Sequence, residues 1–350
     1  MICLGIESTA HTFGVGIITS EGKILANARD CYHSVEGMIP NEVKAHHELV
    51  KEHVLADALQ KAQLTMNDID LIAFSHGPGL APCLHVGKNF AENLSKEHNK
   101  PLLGVNHCVA HLTIGNLTTG LQDPIYLYVS GVNTQLLVAA HGRFRVLGET
   151  LDIGLGNALD KFGRKAGLGF PAGPKMEQQA STGAYVELPY AVKGMDVSFA
   201  GIITAAERKI GKIPLPDLCF SLQETCFAML AEVAERALAH TRKKELLLIG
   251  GVAANKRLIQ MLAAMSKERV ATFAAVPLEY AGDQGVMIAW QGVLEYSHGR
   301  RTTPDIHPYE RTDEIDTNWI NASSTSSSLA SSPQEPPDKK AQKSARSPCK

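Results

Sequence analysis

The chain has 350 residues, of which 44% are hydrophobic, so it is long enough to bury the cores of two lobes. Its 34 basic and 36 acidic residues exclude a globally basic nucleic-acid-binding protein, and any nucleic acid would need a local patch or a partner's charge. Apolar runs stay shorter than the roughly 18 residues that suggest a membrane span, and the first residues form no basic leader. Seven cysteines without a CxxC pair indicate reduced thiols, which predicts a cytoplasmic protein.

The chain begins with a predicted meander of three strands. The β-forming runs 2–6 and 15–19 surround a polar turn, and the run 23–28 follows them. Gly14 and Gly16 lie in the second run, where a close approach of other atoms to the backbone is expected.

A helix with three histidines is predicted next. An irregular loop, 33–45, leads into a helix that extends from about Glu42 to Ala62. His46 and His53 are seven residues apart and share one face of this helix. A solvated or substrate-facing helix is expected, with a second metal cluster as the alternative.

A Gly/Pro turn separates the next predicted strand and helix. The strand begins at Leu71, the turn covers 75–80 and the helix covers about 82–98. Such a turn exposes amide groups at a helix N-terminus, where an anion can bind.

Two histidines four residues apart are the strongest signal for chemistry. The apolar run 101–105 predicts a short buried strand, and Asn106 follows at a position suited to cap a helix. His107 and His111 then lie on one face of that helix, where two neutral imidazoles make half of a metal site. An ordinary helix with two histidines is the alternative. Cys108 occupies the position where HExxH zinc peptidases need a glutamate, which argues against a metalloprotease.

The same order of elements begins again in the second half. Strands are predicted at 125–129, 135–139 and 143–149, around a polar turn at 130–134. This repeat predicts a duplicated α/β fold with lobes at 1–122 and 123–320. A nucleotide would lie in the cleft with its phosphates between the two turns.

Further helices and a glycine junction complete the second half. Helices are predicted at about 157–167 and 215–241, and after the loops 169–174 and 196–201. The predicted strand 245–249 is followed by Gly250 and Gly251 and by a helix that starts near Ala253. That junction lets a ring or a ribose lie on the backbone, with Asn255 as donor and acceptor, or else it is simply a tight turn.

The C-terminal region holds an acidic residue and a tail. Asp283 precedes an apolar helix, either as its N-cap or as a carboxylate that joins the histidine pair across the cleft. Residues 321–350 are rich in serine and contain four prolines, so they are predicted to be a disordered tail.

Nine motifs occur in the order of a known family. They are Ile6-Glu-Ser-Thr-Ala-His-Thr12, Gly77-Pro-Gly-Leu80, Asn106-His-x-x-Ala-His111, Tyr128-Val-Ser-Gly-x-Asn-Thr-Gln135, Leu159-Asp-Lys-Phe162, Gly173-Pro-Lys-x-Glu177, Asp196-Val-Ser-Phe199, Gly250-Gly-Val-Ala-Ala-Asn255 and Gly282-Asp-x-Gly-x-Met-Ile-Ala-Trp290. With them the chain resembles the universal tRNA threonylcarbamoyladenosine synthase family, formerly called O-sialoglycoprotein endopeptidase or glycoprotease. The resemblance is to the archaeal and eukaryotic branch, the catalytic subunit of the KEOPS complex, and covers about residues 1–300.

The resemblance implies an actin/Hsp70/sugar-kinase-like (ASKHA) fold and an acyltransferase. The implied reaction moves threonylcarbamoyl from threonylcarbamoyl-AMP to N6 of the adenosine at position 37, directly 3′ of the anticodon, in tRNAs that read ANN codons. The implied ligands of one divalent metal, Fe²⁺ before Zn²⁺ or Mg²⁺, are His107, His111, Tyr128 and Asp283. The implied contacts of the adenylate or ATP are Tyr128, Val129, Ser130, Gly131, Val132, Asp160, Gly173, Glu177 and Asn255.

The resemblance also implies partners, and other functions stay open beside it. The implied partners are tRNA, other KEOPS subunits including a small kinase or ATPase, and a threonylcarbamoyl-AMP synthase that supplies the donor. No membrane partner is expected. An ATP-binding scaffold or switch subunit is the main alternative, and a metalloprotease is the other.

The chain departs from the family pattern at four places. Val132 stands where the family has a second glycine, and Gln284 stands where it has asparagine. The loop 37–42 lacks the usual His and Arg, and Ala172 replaces a glycine. The predicted metal ligands are all present.

Overall fold

Two five-stranded sheets organise the computed structural model, which describes residues 1–34, 38–302, 304–317 and 319–320. The predicted tail 321–350 lies outside these described residues, as does part of the predicted loop 33–45. The strands of the first sheet are β1 (Ile2–Glu7), β2 (Thr12–Thr19), β3 (Ile24–Cys31), β4 (Leu71–Gly77) and β5 (Leu102–Asn106). Those of the second sheet are β6 (Ile125–Val129), β7 (Thr134–Ala140), β8 (Arg143–Glu149), β11 (Glu245–Ile249) and β12 (Thr272–Ala275), while β9 (Val192–Lys193) and β10 (Asp196–Val197) form a hairpin.

The two sheets repeat one topology. The first has the order β3-β2-β1-β4-β5, in which an antiparallel meander is extended by two parallel strands. The second has the order β12-β11-β6-β7-β8, with the same combination of meander and parallel strands. This repeat confirms the predicted duplicated α/β fold.

Ten α-helices are described between and after the strands. They are α1 (Pro40–Ala62), α2 (Ala81–His98), α3 (His107–Thr119), α4 (Leu155–Lys165), α5 (Gly173–Ala180), α6 (Ala200–Glu207), α7 (Leu215–Thr241), α8 (Lys256–Glu268), α9 (Leu278–Ala281) and α10 (Gly285–Ser297). Short 3-10 turns cover Met66–Asp68, Gly251–Ala254 and Thr312–Glu314. Across the described residues, no helix combines the length and the apolar character that a membrane span needs.

The start of α1 corrects the predicted loop 33–45. The helix begins at Pro40, so the last residues of that predicted loop are helical. Proline is favoured in the first turn because its φ is already helical and its missing N–H would have no partner there.

Helix α10 lies directly on the first sheet, although it follows the second sheet in sequence. A Cβ added at Gly16 would come within 2.1 Å of the Val286 amide nitrogen, and one added at Gly5 within 2.2 Å of that of Ala289. Gly5 and Gly16 are paired across β1 and β2. The close approach expected at Gly16 is therefore made by the backbone of helix α10.

The lobe boundary at residue 122 stays a prediction.

Candidate metal centre and cleft

The two histidines lie at the start of α3, at the end of a buried strand. The Asn106 side chain accepts a hydrogen bond from the Val109 amide at 3.0 Å, which confirms Asn106 as the helix cap. His107 and His111 are both buried, and their ring centroids are 4.7 Å apart. The four-residue spacing thus places both imidazoles on one buried face.

Asp283 faces these imidazoles from the residue before the α10 cap. The cap is Gln284, whose side-chain oxygen accepts a hydrogen bond from the Met287 amide, so the interpretation of Asp283 as N-cap is wrong. The Asp283 Oδ1 atom lies 3.2 Å from His111 Nε2 and 3.6 Å from His107 Nε2. This geometry agrees with the alternative interpretation, in which the Asp283 carboxylate faces the two histidines.

These three side chains can hold one metal ion. Each offers one donor atom, and the three atoms lie within 4.8 Å of one another. Two imidazole nitrogens and one carboxylate oxygen suit iron or zinc better than magnesium, which prefers oxygen ligands. Within the described ranges, no other group of three or more such side chains is close enough to do the same.

The three donors differ in their electrostatics. Burial lowers the pKa of His107, but the neighbouring Glu7 and Asp283 carboxylates outweigh it and raise that pKa to about 9. Burial lowers the pKa of His111. Burial opposes ionisation of Asp283, yet the hydrogen bond from His111 and the His107 charge hold its pKa well below the usual value. The carboxylate is therefore ionised at neutral pH.

A second carboxylate, Glu7, orients His107 from behind. His107 Nδ1 lies 2.9 Å from Glu7 Oε2 and 3.2 Å from the Thr9 hydroxyl, which leaves Nε2 facing Asp283. Carboxylates commonly fix metal-binding histidines in this way. Glu7 and Thr9 were absent from the predicted site residues, because only tertiary packing brings the end of β1 to α3 and the local sequence carries no signal for that contact.

Tyr128, the fourth implied ligand, lies beside the cluster. It is buried at the end of β6, with its ring centroid 5.3 Å from that of His111. Burial raises the pKa of its hydroxyl well above the usual value, so the phenol is neutral at physiological pH. Its role as a ligand stays a prediction.

The turn after Tyr128 is anchored to α4. The Ser130 and Gly131 carbonyls accept hydrogen bonds from the Gly156 and Asn157 amides at 3.1 and 3.0 Å. Val129 is buried in the strand, whereas Val132 is 66% exposed. The extra side chain at this departure from the family pattern therefore points into open space.

Three other predicted nucleotide contacts lie around α5. The Asp160 carboxylate accepts the Ala172 amide at 2.7 Å, next to Gly173 at the start of α5. The Glu177 carboxylate accepts the Lys256 amide at 3.0 Å and so links α5 to α8. Burial raises the pKa of Asp160.

Asn255, the remaining predicted nucleotide contact, caps the N-terminus of α8 with its side chain. Its side-chain oxygen accepts the Arg257 and Leu258 amides at 2.9 and 3.2 Å, and its amide donates to Gln223 at 2.8 Å. The backbone beside it is open, because a Cβ added at Gly251 would meet no atom within 4 Å. The backbone at Gly251 therefore has room for a planar ring that makes no contact with the Asn255 side chain.

The histidines of α1 are separate from the metal cluster. His53 is exposed, and His46 Nε2 lies 3.1 Å from a carboxylate oxygen of Asp30. Their part of the described chain contains no group of three metal-binding side chains, so the alternative of a second cluster has no support there.

Comparisons with known proteins identify a family. The sequence model of the family described as TsaD, tRNA N6-adenosine threonylcarbamoyltransferase, matches residues 21–290. The chain is 51% identical over 326 residues to the tRNA N6-adenosine threonylcarbamoyltransferase of Thermococcus kodakarensis, covering 91% of this chain and 100% of that protein. It is 50% identical over 323 residues to that of Thermofilum pendens, covering 90% and 96%. A "probable bifunctional tRNA threonylcarbamoyladenosine biosynthesis protein" of Methanocaldococcus jannaschii is 48% identical, with 91% of this chain and 61% of that protein covered.

Solved structures with low sequence identity share the fold. The HypF structure from T. kodakarensis matches with a TM-score of 0.60 at 18% identity, over 86% of this chain and 48% of HypF. The activator of 2-hydroxyisocaproyl-CoA dehydratase from Clostridium difficile matches with a TM-score of 0.52 at 10% identity, over 87% and 100%. These likenesses confirm the predicted ASKHA fold.

Proposed function

The chain belongs to the tRNA N6-adenosine threonylcarbamoyltransferase family, and from this premise we propose its substrates, metal and partners. As a member it is a transferase that modifies tRNA. The proposed reaction moves threonylcarbamoyl from threonylcarbamoyl-AMP to N6 of adenosine 37 in tRNAs that read ANN codons, with the help of one divalent metal ion.

The cluster of His107, His111 and Asp283 is the observation that carries this proposal. Its three donor atoms come from buried or half-buried side chains and lie within 4.8 Å of one another. We propose Fe²⁺ as the ion, held by these side chains and Tyr128. When bound, the ion supplies positive charge that binds phosphate or carbamoyl oxygens and offsets developing negative charge.

The chemistry needs positioning more than a strong base. The N6 atom of adenine attacks the carbamoyl carbon, the bond from that carbon to the phosphate oxygen breaks, and AMP leaves while N6 loses a proton. The donor is a mixed anhydride, so its carbon is already activated, whereas the adenine amine is a weak nucleophile. We assign no dedicated general base.

The wall around α4, α5 and α8 is proposed to hold the adenylate. The anchored Ser130–Val132 turn would lie against its phosphate, and Gly251 offers open backbone for its base or ribose. The Ser130 amide already donates to the Asn133 carbonyl at 2.7 Å, so the amides of Gly131 and Val132 are the proposed phosphate donors. Asp160 and Glu177 fix the shape of this wall through their bonds to backbone amides.

We propose that the protein works in the cytoplasm as a KEOPS subunit. Its partners would be tRNA, a small kinase or ATPase, and a threonylcarbamoyl-AMP synthase. The relatives named bifunctional support a partner protein, because this chain covers 61% of their length and the rest is available for a second activity. The adenosine must be splayed out of the anticodon loop to reach the cleft.

A reconstituted modification assay tests this function. Wild-type protein, its proposed partners, threonylcarbamoyl-AMP and an ANN-reading tRNA are combined, and nucleosides are measured by mass spectrometry. We expect His111→Ala and Asp283→Ala to lower the rate by more than about 100-fold, because each removes a proposed metal ligand. The exposed His240 on α7 provides the control, and His240→Ala should retain the wild-type rate.

Other outcomes would favour the alternative functions. Nucleotide-dependent partner binding without any modified adenosine would favour the ATP-binding scaffold. Peptide release by the purified chain that His107→Ala abolishes would favour the metalloprotease. Full activity of both Ala variants would remove the metal from the proposal.

A further inference from the structure

A C-terminal strap, residues 304–317, connects the two sheets past the metal centre. At one end the His307 amide donates to the His76 carbonyl at the end of β4, at 2.7 Å. At the other end the Thr317 amide donates to the Gly142 carbonyl, between β7 and β8, also at 2.7 Å. The strap lies beyond residues 21–290, which match the family model.

The middle of the strap holds the cap of the metal-binding helix. The Glu310 carboxylate oxygen Oε2 accepts a hydrogen bond from the Asn106 side-chain amide at 2.9 Å. The same oxygen lies 2.7 Å from His76 Nε2, and the His76 side chain is 3% exposed. Burial opposes ionisation of Glu310, but the hydrogen bonds from His76 and Asn106 and the His76 charge together outweigh it and keep the pKa below its usual value. The carboxylate is therefore charged and fixed on two sides.

Asn106 passes this restraint on to α3. Its side-chain oxygen accepts the Val109 amide, while its side-chain nitrogen donates to Glu310. The carboxamide group is planar, so fixing the nitrogen also fixes the oxygen and the first turn of the helix. That turn carries His107.

The strap also holds the residue on the other side of His107. The side chain of Thr312, which is 5% exposed, lies beside the buried Cys108 thiol and partly offsets the rise in the pKa of that thiol that burial causes. Both neighbours of His107 are thus in contact with the strap, and a change in strap position would move the imidazole relative to Asp283.

We propose that Glu310 is a positioning residue for the metal centre: through Asn106 it fixes the first turn of α3 and the donor atoms of His107 and His111. This inference rests on the proposed metal-assisted function. Glu310 contacts no proposed ligand directly, so its effect is on the geometry of the ligands.

The test measures ion binding and helix order in the full chain. Zn²⁺ and Co²⁺ are titrated alone into wild type, Glu310→Ala and Glu310→Gln. We expect Glu310→Ala to weaken binding by about 10- to 100-fold, as is typical when a support of a metal ligand is lost. Glu310→Gln keeps a neutral acceptor for Asn106 and should fall between the two. The visible spectrum of bound Co²⁺ should change with the variant, whereas loss of stability alone would leave it unchanged.

Hydrogen exchange in metal-free protein gives a second readout. Exchange of the Val109 amide should accelerate in Glu310→Ala, because the cap of that amide is loosened. Glu314→Ala is the matched control, since Glu314 is an exposed acid of the same strap that accepts the Arg311 amide and has no bond to α3. It should leave both readouts at the wild-type value.

A substitution of Asn106 tests whether Glu310 acts on the metal centre through its hydrogen bond to the Asn106 side chain. Asn106→Ser keeps a capping hydroxyl but loses the donor to Glu310. We expect the double variant with Glu310→Ala to bind Zn²⁺ no more weakly than the worse single variant. Strictly additive losses would overturn the proposal, as would unchanged Zn²⁺ binding and unchanged Val109 exchange in Glu310→Ala.

Two further outcomes separate this inference from the proposed function. If wild type binds neither ion, the metal assignment fails, and Glu310 loses its role as a positioning residue for ligands. If Glu310→Ala does not fold, Asn106→Ser alone decides, and wild-type ion affinity in that variant would overturn the proposal.

Discussion

His107 and His111 are the same residue type one helical turn apart, yet their environments shift their pKa values in opposite directions. His107 lies between the Glu7 and Asp283 carboxylates, which together raise its pKa to about 9 against the effect of burial. His111 is buried, and its Nδ1 atom has no hydrogen-bond partner among the described residues. Glu7 therefore fixes one imidazole by a hydrogen bond, while packing against Tyr128 and His107 places the other.

His47 on α1 makes the free energy of unfolding sensitive to acid. It is fully buried against Phe13, and burial and the neighbouring His46 lower its pKa to about 4. His11 and Glu7 are the other charged groups that act on it. His47 is therefore protonated below about pH 6.5 in the unfolded state but only below about pH 4 in the folded state. Because the unfolded state binds the proton more tightly, the free energy of unfolding decreases as the pH falls through this window.

We expect His47→Phe to reduce this acid sensitivity. Phenylalanine retains the ring packed against Phe13 but has no proton to bind. Urea unfolding at pH 7 and pH 5 measures the free energy of unfolding, and the difference between the two values should be smaller in the variant by about 1–2 kcal/mol. His53→Phe, at an exposed position on the same helix, is the control. Equal pH dependence in wild type and His47→Phe would contradict the argument.

At the residue scale, local spacing predicted the donors but missed their supports. His107 and His111 lie on one helix, so their separation of four residues is enough to place them together. Glu7 and Glu310 contact this helix from strands and loops far away in the sequence, and only tertiary packing brings them there. A single sequence contains no local signal for such pairs.

At the scale of elements, the contact between α10 and the first sheet positions Asp283. Glycines on β1 and β2 allow the helix backbone to lie against the strand backbone. We expect Gly16→Ala to destabilise the protein by about 3 kcal/mol or more, because its Cβ would overlap the Val286 backbone. The displaced helix would also carry Asp283 away from the histidines, so Zn²⁺ affinity should fall.

Gly201→Ala is the matched control for this prediction. Gly201 lies in α6, where an added Cβ would meet no atom within 4 Å, and alanine favours a helix. Thermal unfolding and Zn²⁺ titration should show wild-type or slightly higher stability and unchanged affinity for this variant. A Gly16→Ala protein as stable as wild type would show that the helix and the sheet separate easily.

The predicted elements were most accurate where the pattern was long and locally determined. The structure confirms the bounds predicted for α7, 215–241, and for the strand β6, 125–129. The place of α10 on the first sheet was not predicted, because a helix whose surface is apolar on most sides does not indicate which sheet it covers. The same limit applies to the strap, which has little regular secondary structure and therefore no periodic pattern.

At the scale of the whole molecule, the proposed metal ligands come from elements associated with both sheets of the duplicated fold. The histidines lie on α3, which directly follows β5 of the first sheet, and Tyr128 is the penultimate residue of β6 in the second. The site therefore depends on the relative position of the two sheets, and residues 304–317 contact both. This dependence explains how a surface segment remote in sequence from His107 can affect ligand geometry.

The charge of the whole chain predicts how it binds its large substrate. With a net charge of −2, the chain alone should bind tRNA weakly, with a Kd of roughly 10⁻⁶ to 10⁻⁴ M at physiological salt, as in non-specific binding. The proposed partner subunits should tighten binding and steepen its decrease with salt, because their basic groups would displace more counterions. Fluorescence anisotropy of labelled tRNA between about 50 and 200 mM salt measures both quantities, with free partner subunits as the control. Nanomolar, salt-insensitive binding by the isolated chain would contradict this prediction, because it would mean that the chain itself contains the main tRNA-binding surface.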